Sequence, residues 1–390
     1  MSARETGIPS PWGQACPRAV LLAPEGLLVP CGTLDSLLKK RGRLDLLVRG
    51  FALEPWVRDG ARVTIDAHRP PRAGDLALCE VDRWGDLRRL LARDQNGAWI
   101  TGLDVVAGAR ETLAPDRIRG VVSGRFGAGG GSGRALALSY PLWSHVAALI
   151  YGIRKAIEAP DFGAAAAASV QEKYSLQVDS YSDMLGFPLG EELQGLLGRT
   201  FPAGGSVLVA GSGAGGEVIH LARLGYRVSG FDFLPEMVSA SDRNVREAGV
   251  RAELFEADMA ELDRKGETYA GIYVTPLVYS FVRSRARRVV CLDRLGRHLD
   301  AGGSVVFSAH LLASPAQLLQ AALAWSRHAG RGRAFEFGDW FTWFLRPDGR
   351  IGKSFSHLFR DAGVRAEVRE AGFGSCRREG AWFVASDFSH

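Results

Sequence analysis

One stretch limits the possible folds of this chain more than any other: Ser206-Val207-Leu208-Val209-Ala210-Gly211-Ser212-Gly213-Ala214-Gly215-Gly216. A short apolar strand runs into a loop with glycine at 211, 213, 215 and 216, and an amphipathic segment, Glu217–Leu224, follows. Glycine reaches backbone angles closed to other residues and lets the main chain approach a ligand. Strand, tight glycine turn and helix in that order open a parallel α/β sheet, which binds ligands at the carboxyl ends of its strands. The alternation continues downstream. Strands are predicted at Arg227–Phe231, Ala252–Phe255, Gly271–Thr275 and Ser304–Ser308. The helix predicted at Arg285–Leu299 carries Val289, Leu292, Leu295 and Leu299 on one face.

The ends of these strands carry chemistry suited to a nucleoside. The second ends Gly230-Phe231-Asp232-Phe233, placing a carboxylate where it can accept hydrogen bonds from two ribose hydroxyls. The third ends Glu256-Ala257-Asp258-Met259, where Asp258 can accept from an adenine amino group and Met259 can cover the ring. Spacing alone does not choose the ligand, because Gly211, Gly213 and Gly216 also match the G-x-G-x-x-G of nicotinamide dinucleotide sites.

Val207–Glu217 resembles the first motif of the class I S-adenosylmethionine (SAM) methyltransferases, and Tyr226–Met237 resembles their second. Leu299-Asp300-Ala301-Gly302-Gly303 is similar to the turn before their fifth strand. The resemblance implies a Rossmann-like α/β methyltransferase domain over residues 165–390, with SAM as cofactor. It places Gly211, Ser212, Gly213, Gly215, Asp232, Phe233, Asp258, Met259 and Thr275 around the cofactor, with Tyr174, near Tyr181, on a helix closing over it. The family usually has an acid in strand one that helps hold the methionine amino group; Val209 stands there.

Class I enzymes work mainly by positioning the acceptor, sometimes with a general base. The fourth strand ends Tyr273-Val274-Thr275-Pro276-Leu277, without the Asp/Asn-Pro-Pro-Tyr signature of many amino-group methyltransferases, and no Pro-Cys nucleophile follows. After strand five a helix is predicted at Pro315–Arg327. A hairpin then pairs Phe335–Phe344 with Ile351–Ser356 and carries Trp340, Phe341, Trp343 and Phe344. It reads either as a substrate lid, with His310, Asp339 or His357 assisting proton removal, or as an aromatic core hairpin.

The N-terminal region, residues 1–135, reads as a small, mostly-β domain, with short apolar runs at Asp45–Val48, Arg62–Ile65, Asp75–Cys79 and Arg117–Ser123. Val48–Val63 and Pro71–Leu78 resemble the signal-peptidase and LexA-type serine peptidases. In that pattern Ala52 takes the place of the nucleophilic serine and Arg88 that of the general base. A methyl group cannot attack a carbonyl and arginine does not deprotonate at usable pH, so no peptidase activity is expected. What remains is a β scaffold suited to adding a peptide as an extra strand. It would recruit a peptide or peptide-derived substrate; dimerisation or a purely structural role are the other readings. Residues 136–164 are expected to form a connecting helix and linker, and the apolar stretch Ala135–Ile153 reads as part of it rather than as a membrane span.

Composition adds boundaries. Hydrophobic residues make up 46% and charged residues 23%, the balance of a globular chain. A net charge of +5 is small for 390 residues and gives no reason to expect nucleic acid. The densest basic run, Arg283, Arg285, Arg287 and Arg288, reads as a solvated face at a helix start. Five scattered cysteines without a CxxC offer no zinc site and suit reduced thiols, and no signal sequence is legible, so a cytoplasmic location is expected. Two function classes result: a SAM-dependent methyltransferase with a substrate-recruiting first domain, or a non-catalytic binding protein in which both domains have lost their chemistry.

Overall fold

The computed structural model describes residues 20–22, 31–49, 61–80, 86–102, 110–123, 159–182, 189–312, 314–329, 335–346 and 350–389, with scattered helical positions between 146 and 158. Ala52 and the Gly127–Gly133 run lie outside the described residues.

The N-terminal sheet contains β1 (Val20–Leu22), β2 (Arg43–Arg49), β3 (Arg62–Asp66), β4 (Leu76–Cys79), β5 (Asp86–Arg93), β6 (Trp99–Gly102), β7 (Arg110–Leu113) and β8 (Ile118–Ser123). Its order is β1-β2-β3-β8-β4-β5-β6-β7, with every pairing antiparallel. Leu44, Leu46 and Val48 of β2 are buried while Arg43 and Asp45 face out, the two-residue period of a sheet with one dry face. Leu34 and Leu38, one turn apart on the helix Cys31–Arg41, pack on that face with Val63, Ile65, Leu76 and Leu78.

The second sheet is built from β9 (Ser206–Ala210), β10 (Arg227–Asp232), β11 (Ala252–Glu256), β12 (Tyr269–Val274), β13 (Leu299–Ser308), β16 (Phe373–Glu379) and β17 (Trp382–Phe388). Its order is β11-β10-β9-β12-β13-β17-β16. The first five strands are parallel; β17 is antiparallel to both β13 and β16. A dinucleotide-binding sheet of order 3-2-1-4-5-6 ends instead in a sixth parallel strand. The terminal hairpin therefore departs from the nicotinamide alternative, which glycine spacing could not do.

Both faces of this sheet are covered, which explains why β9 is apolar without alternation. Leu208 and Ala210 face a core with Phe231, Ile272, Val305 and Phe307, roofed by the helices Arg285–Gly296 and Asp361–Glu370. Val207 and Val209 face the opposite core, with Tyr273, Val306 and Val384, under the helices Glu191–Thr200 and Gly216–Arg223. The predicted helix Arg285–Leu299 stops at Gly296, because Leu299–Gly303, expected as a turn, already belongs to β13. Gly302 at φ +77° and a register shift opposite Tyr269 and Gly271 give the kink that the sequence suggested as a turn.

Two strands, β14 (Asp339–Leu345) and β15 (Ile351–His357), form the predicted hairpin, separate from the sheet. Phe355 packs on Ala166 and Val170 of the helix Ala166–Ser175, and Trp340 and Phe341 pack on Ala324 of the helix Pro315–Ala329. The arginine run is a solvated face only in part: Arg285 and Arg287 are exposed, as expected, but Arg288 is not. Arg288 is buried, with its guanidinium on Glu367 at 2.8 Å and Glu336 at 3.0 Å, and the Tyr279 hydroxyl donates to Glu367 at 2.5 Å. Arg285 and Arg287 pair with Glu370 and Asp258.

Candidate active site

β9 lies between β10 and β12, so the chain leaves it at the point where the strand order reverses, and the glycine loop sits at the mouth of that crevice. Gly211, Gly213 and Gly215 take φ +74°, +51° and +95°, angles that strain any residue with a Cβ. At Gly211 a Cβ would lie 2.8 Å from Val278, and at Gly215 2.5 Å from the Ser241 hydroxyl, so both are also closed by packing. At Gly213 a Cβ would meet nothing within 4 Å, so the loop opens to space there. Several groups hold the loop still. Gly211 and Ser212 donate to the Phe231 carbonyl at 2.9 and 2.8 Å. The Thr275 hydroxyl donates to the Gly211 carbonyl at 2.6 Å, and Asn244 donates to Ala214 at 2.9 Å.

Asp232 ends β10 beside this loop and accepts from the Gly213 and Leu234 N–H groups, both at 3.0 Å. Burial raises its carboxyl pKa, against the pull of N–H groups from Leu234, Gly213 and Phe233. A carboxylate has about four acceptor directions, so acceptor capacity remains beyond these two bonds. Next to it Phe233 is 37% exposed. The Ser212 hydroxyl is buried and has no hydrogen-bond partner among the described residues.

The third strand end is arranged differently from expectation. Asp258 caps the Ala260 N–H at 2.8 Å and pairs with Arg287 at 2.7 Å. Met259 packs into the core with Leu262 rather than standing open over a ligand.

A wall that the sequence only hinted at closes the crevice. Tyr174 and Tyr181 lie 5.9 Å apart between ring centroids, and Tyr174 lies 5.5 Å from Phe281, which follows β12. Burial, together with the neighbouring Tyr181 and Asp232, pushes the Tyr174 phenol well above its usual value, so it stays protonated. Burial also raises the Glu217 carboxyl, and Glu217 lies close enough to Tyr181 and Tyr273 to influence both phenols. Tyr273 is the register partner of Val209. Glu217 and Val209, the strand-one position that carries no acid, thus share Tyr273 as a neighbour. The place of Glu217 directly after the glycine loop is legible in the sequence.

The three candidate bases separate. His310 follows β13; its Nδ1 is 3.0 Å from the Ser356 hydroxyl and its ring stands edge-on to Phe281. Asp339 and His357 are register partners across the hairpin, with His357 Nδ1 2.8 Å from the Asp339 carboxylate, both buried. Ser356 and His357 are adjacent in β15 and project to opposite faces, so His310 and the Asp339–His357 pair do not share one centre. Glu336, Asp339 and His357 offer ligand atoms within 4.8 Å of one another. Their partners are protein groups: Arg285 N–H and Arg288 on Glu336, and the Glu336 N–H on Asp339.

A family model described as a methyltransferase domain matches residues 207–303, from β9 into β13. Among solved structures, the methyltransferase CcbJ of Streptomyces caelestis is similar at 15% identity over 55% of this chain and 97% of its own, with a TM-score of 0.41. A SAM-dependent methyltransferase of Methanosarcina mazei is similar at 14% identity over 52% of this chain and all of its own, with a TM-score of 0.42. CalS10 of Micromonospora echinaspora, an amino pentose methyltransferase involved in calicheamicin biosynthesis, is similar at 15% identity over 57% of this chain and 95% of its own, with a TM-score of 0.35. No curated protein matches the sequence. The glycine loop and the acid-ended second strand both lie within the segment that matches a methyltransferase domain.

Proposed function

We propose that this chain transfers a methyl group from SAM to a peptide or peptide-derived small molecule, and that its N-terminal β domain recruits that acceptor. The observation that carries the cofactor reading is Asp232, held by Gly213 and Leu234 at the mouth of an open glycine loop, within a segment matched by a methyltransferase model. The donors and acceptors present fit SAM. Asp232 takes the ribose hydroxyls, Phe233 covers the adenine, and the unpartnered Ser212 hydroxyl faces a polar group. Glu217 supplies the carboxylate that attracts the methionine ammonium, in place of an acid at Val209. Asp258 acts from the edge of the site while paired with Arg287.

When bound, SAM supplies an electrophilic methyl group; the remaining work is positioning. Tyr174 and Tyr181 exclude water from the crevice. Phe281 and His310 bound the space at the ends of β12 and β13, where the acceptor enters. His310, with Nδ1 set by Ser356, is the candidate best placed to take the acceptor's proton, and the buried Asp339–His357 pair supports the hairpin behind it.

In the first domain Arg88 is ion-paired to Glu111 at 2.5 Å and lies 3.4 Å from Asp86. A permanently charged, paired guanidinium at the base's position supports binding without peptide hydrolysis. Removing residues 1–135 is expected to raise the apparent KM for the peptide acceptor while SAM affinity stays constant; an unchanged KM removes the recruitment role. The second reading, a binding protein with a vestigial methyltransferase fold, is favoured by one observation, the buried Val209 in strand one. Absence of SAM binding by the folded protein at millimolar concentration would establish it.

A further inference from the structure

Lys173 sits one residue before Tyr174 on the helix Ala166–Ser175, and its side chain is 8% exposed. Its Nζ lies 4.7 Å from the Tyr174 ring centroid and 5.5 Å from that of Phe281. Among the described residues the ammonium has neither a carboxylate in ion-pair range nor a hydrogen-bond acceptor. The surrounding cations differ. Arg346 pairs with Glu172, Lys353 with Glu158, Arg283 with Asp161, and Arg288 with Glu336 and Glu367. Among the described residues, each of these charges has a carboxylate except Lys173.

A buried ammonium without an anion is costly, and aromatic faces offset only part of that cost. Such a group persists where a ligand completes it. Its position says which ligand. Tyr174 faces Asp232 on the cofactor side, while Phe281 and His310 follow β12 and β13 on the acceptor side. Lys173 therefore stands at the junction, with the Tyr174 and Phe281 rings, 5.5 Å apart, together on one side of its charge.

We propose that Lys173 is the anion receptor of the acceptor site, and that the methyl acceptor carries a carboxylate next to an apolar or aromatic body. The proposal rests on the methyltransferase reading and deepens it. Three N–H donors of one ammonium meet the carboxylate, and Tyr174 and Phe281 hold the adjoining apolar part. A free small acid and the carboxylate end of a peptide share this chemistry.

The test uses the full chain saturated with S-adenosylhomocysteine, titrated calorimetrically with two pairs of probes: benzoate against benzamide, and N-acetylphenylalanine against its carboxamide. The wild type is expected to prefer each acid over its amide, with the stronger response from the benzoate pair identifying a small acid and from the other pair a peptide end. Lys173→Met and Lys173→Gln are expected to weaken acid binding at least about tenfold, leaving amide binding and S-adenosylhomocysteine affinity unchanged. Acids and amides binding alike to the wild type, acid binding that survives both substitutions, or no acid binding at 10 mM probe, a concentration we set, overturns the anion site. Failure of S-adenosylhomocysteine itself to bind overturns the methyltransferase reading instead, so the two failures are distinguishable.

Discussion

Replacing Lys173 with Met should make the ligand-free protein more stable, in a way that depends on pH. Burial pulls the Lys173 amine from its ordinary 10.5 down to about 8. At about 1.36 kcal/mol per unit, that difference corresponds to about 3 kcal/mol of folding free energy lost below pH 8, where the folded protein must carry the charge. The sign follows from proton counting. Between pH 8 and 10.5 the Lys173 amine is more protonated in the unfolded chain than in the folded one, so its own contribution to wild-type stability rises through this window as the buried amine sheds its proton. Tyr174, the titratable group in contact with it, stays protonated throughout because its own phenol is pushed well up. Methionine keeps the unbranched shape and has no charge to desolvate. Urea unfolding of both proteins at half-unit steps from pH 7 to 10.5 reads the difference. The variant should be more stable by up to about 3 kcal/mol at pH 7, and the gap should close toward pH 10.5. Equal stability at pH 7, or a gain that does not change with pH, would refute the claim that an unpaired charge is buried there.

The other predictions follow the same contacts. Glu217→Gln should weaken SAM binding about tenfold while leaving the melting temperature within a few degrees, if its carboxylate stands in for the acid missing at Val209; isothermal calorimetry together with a melting curve decides it. Glu367→Gln leaves the buried Arg288 and the Tyr279 hydroxyl without their charged partner, and should cost about 3–5 kcal/mol in denaturant unfolding. A loss below about 1 kcal/mol would mean Glu336 alone satisfies the arginine.

The sheet and its ligand crevice were legible in the sequence for a definite reason. Strands covered on both faces read as unbroken apolar runs, and the loop glycines are fixed by backbone angle rather than by distant partners, so β9 and its loop were read to the residue. Asp232 was found because it ends the next strand. The terminal hairpin was missed because β16 carries Arg377, Arg378 and Glu379 on an edge strand, which hides the strand pattern. The helix Cys31–Arg41 was missed because two leucines one turn apart are too short a stripe among polar residues. Lys173 was out of reach for a different reason: nothing local reveals whether a lysine will meet a carboxylate, and only the approach of Phe281 from more than a hundred residues away leaves it among rings. The separation of His310 from Asp339 and His357 could have been read, since Ser356 and His357 are neighbours in a strand and must face opposite ways.

The central claim is that the crevice beside β9 holds SAM through Asp232, and calorimetric titration of SAM into the wild type and Asp232→Ala tests it most directly. The account predicts saturable binding by the wild type, and an affinity lower by about 1–3 kcal/mol in the variant, roughly tenfold to a hundredfold, with the variant still folded by circular dichroism. Equal affinity in the two proteins, or no heat from the wild type at millimolar SAM, would contradict it.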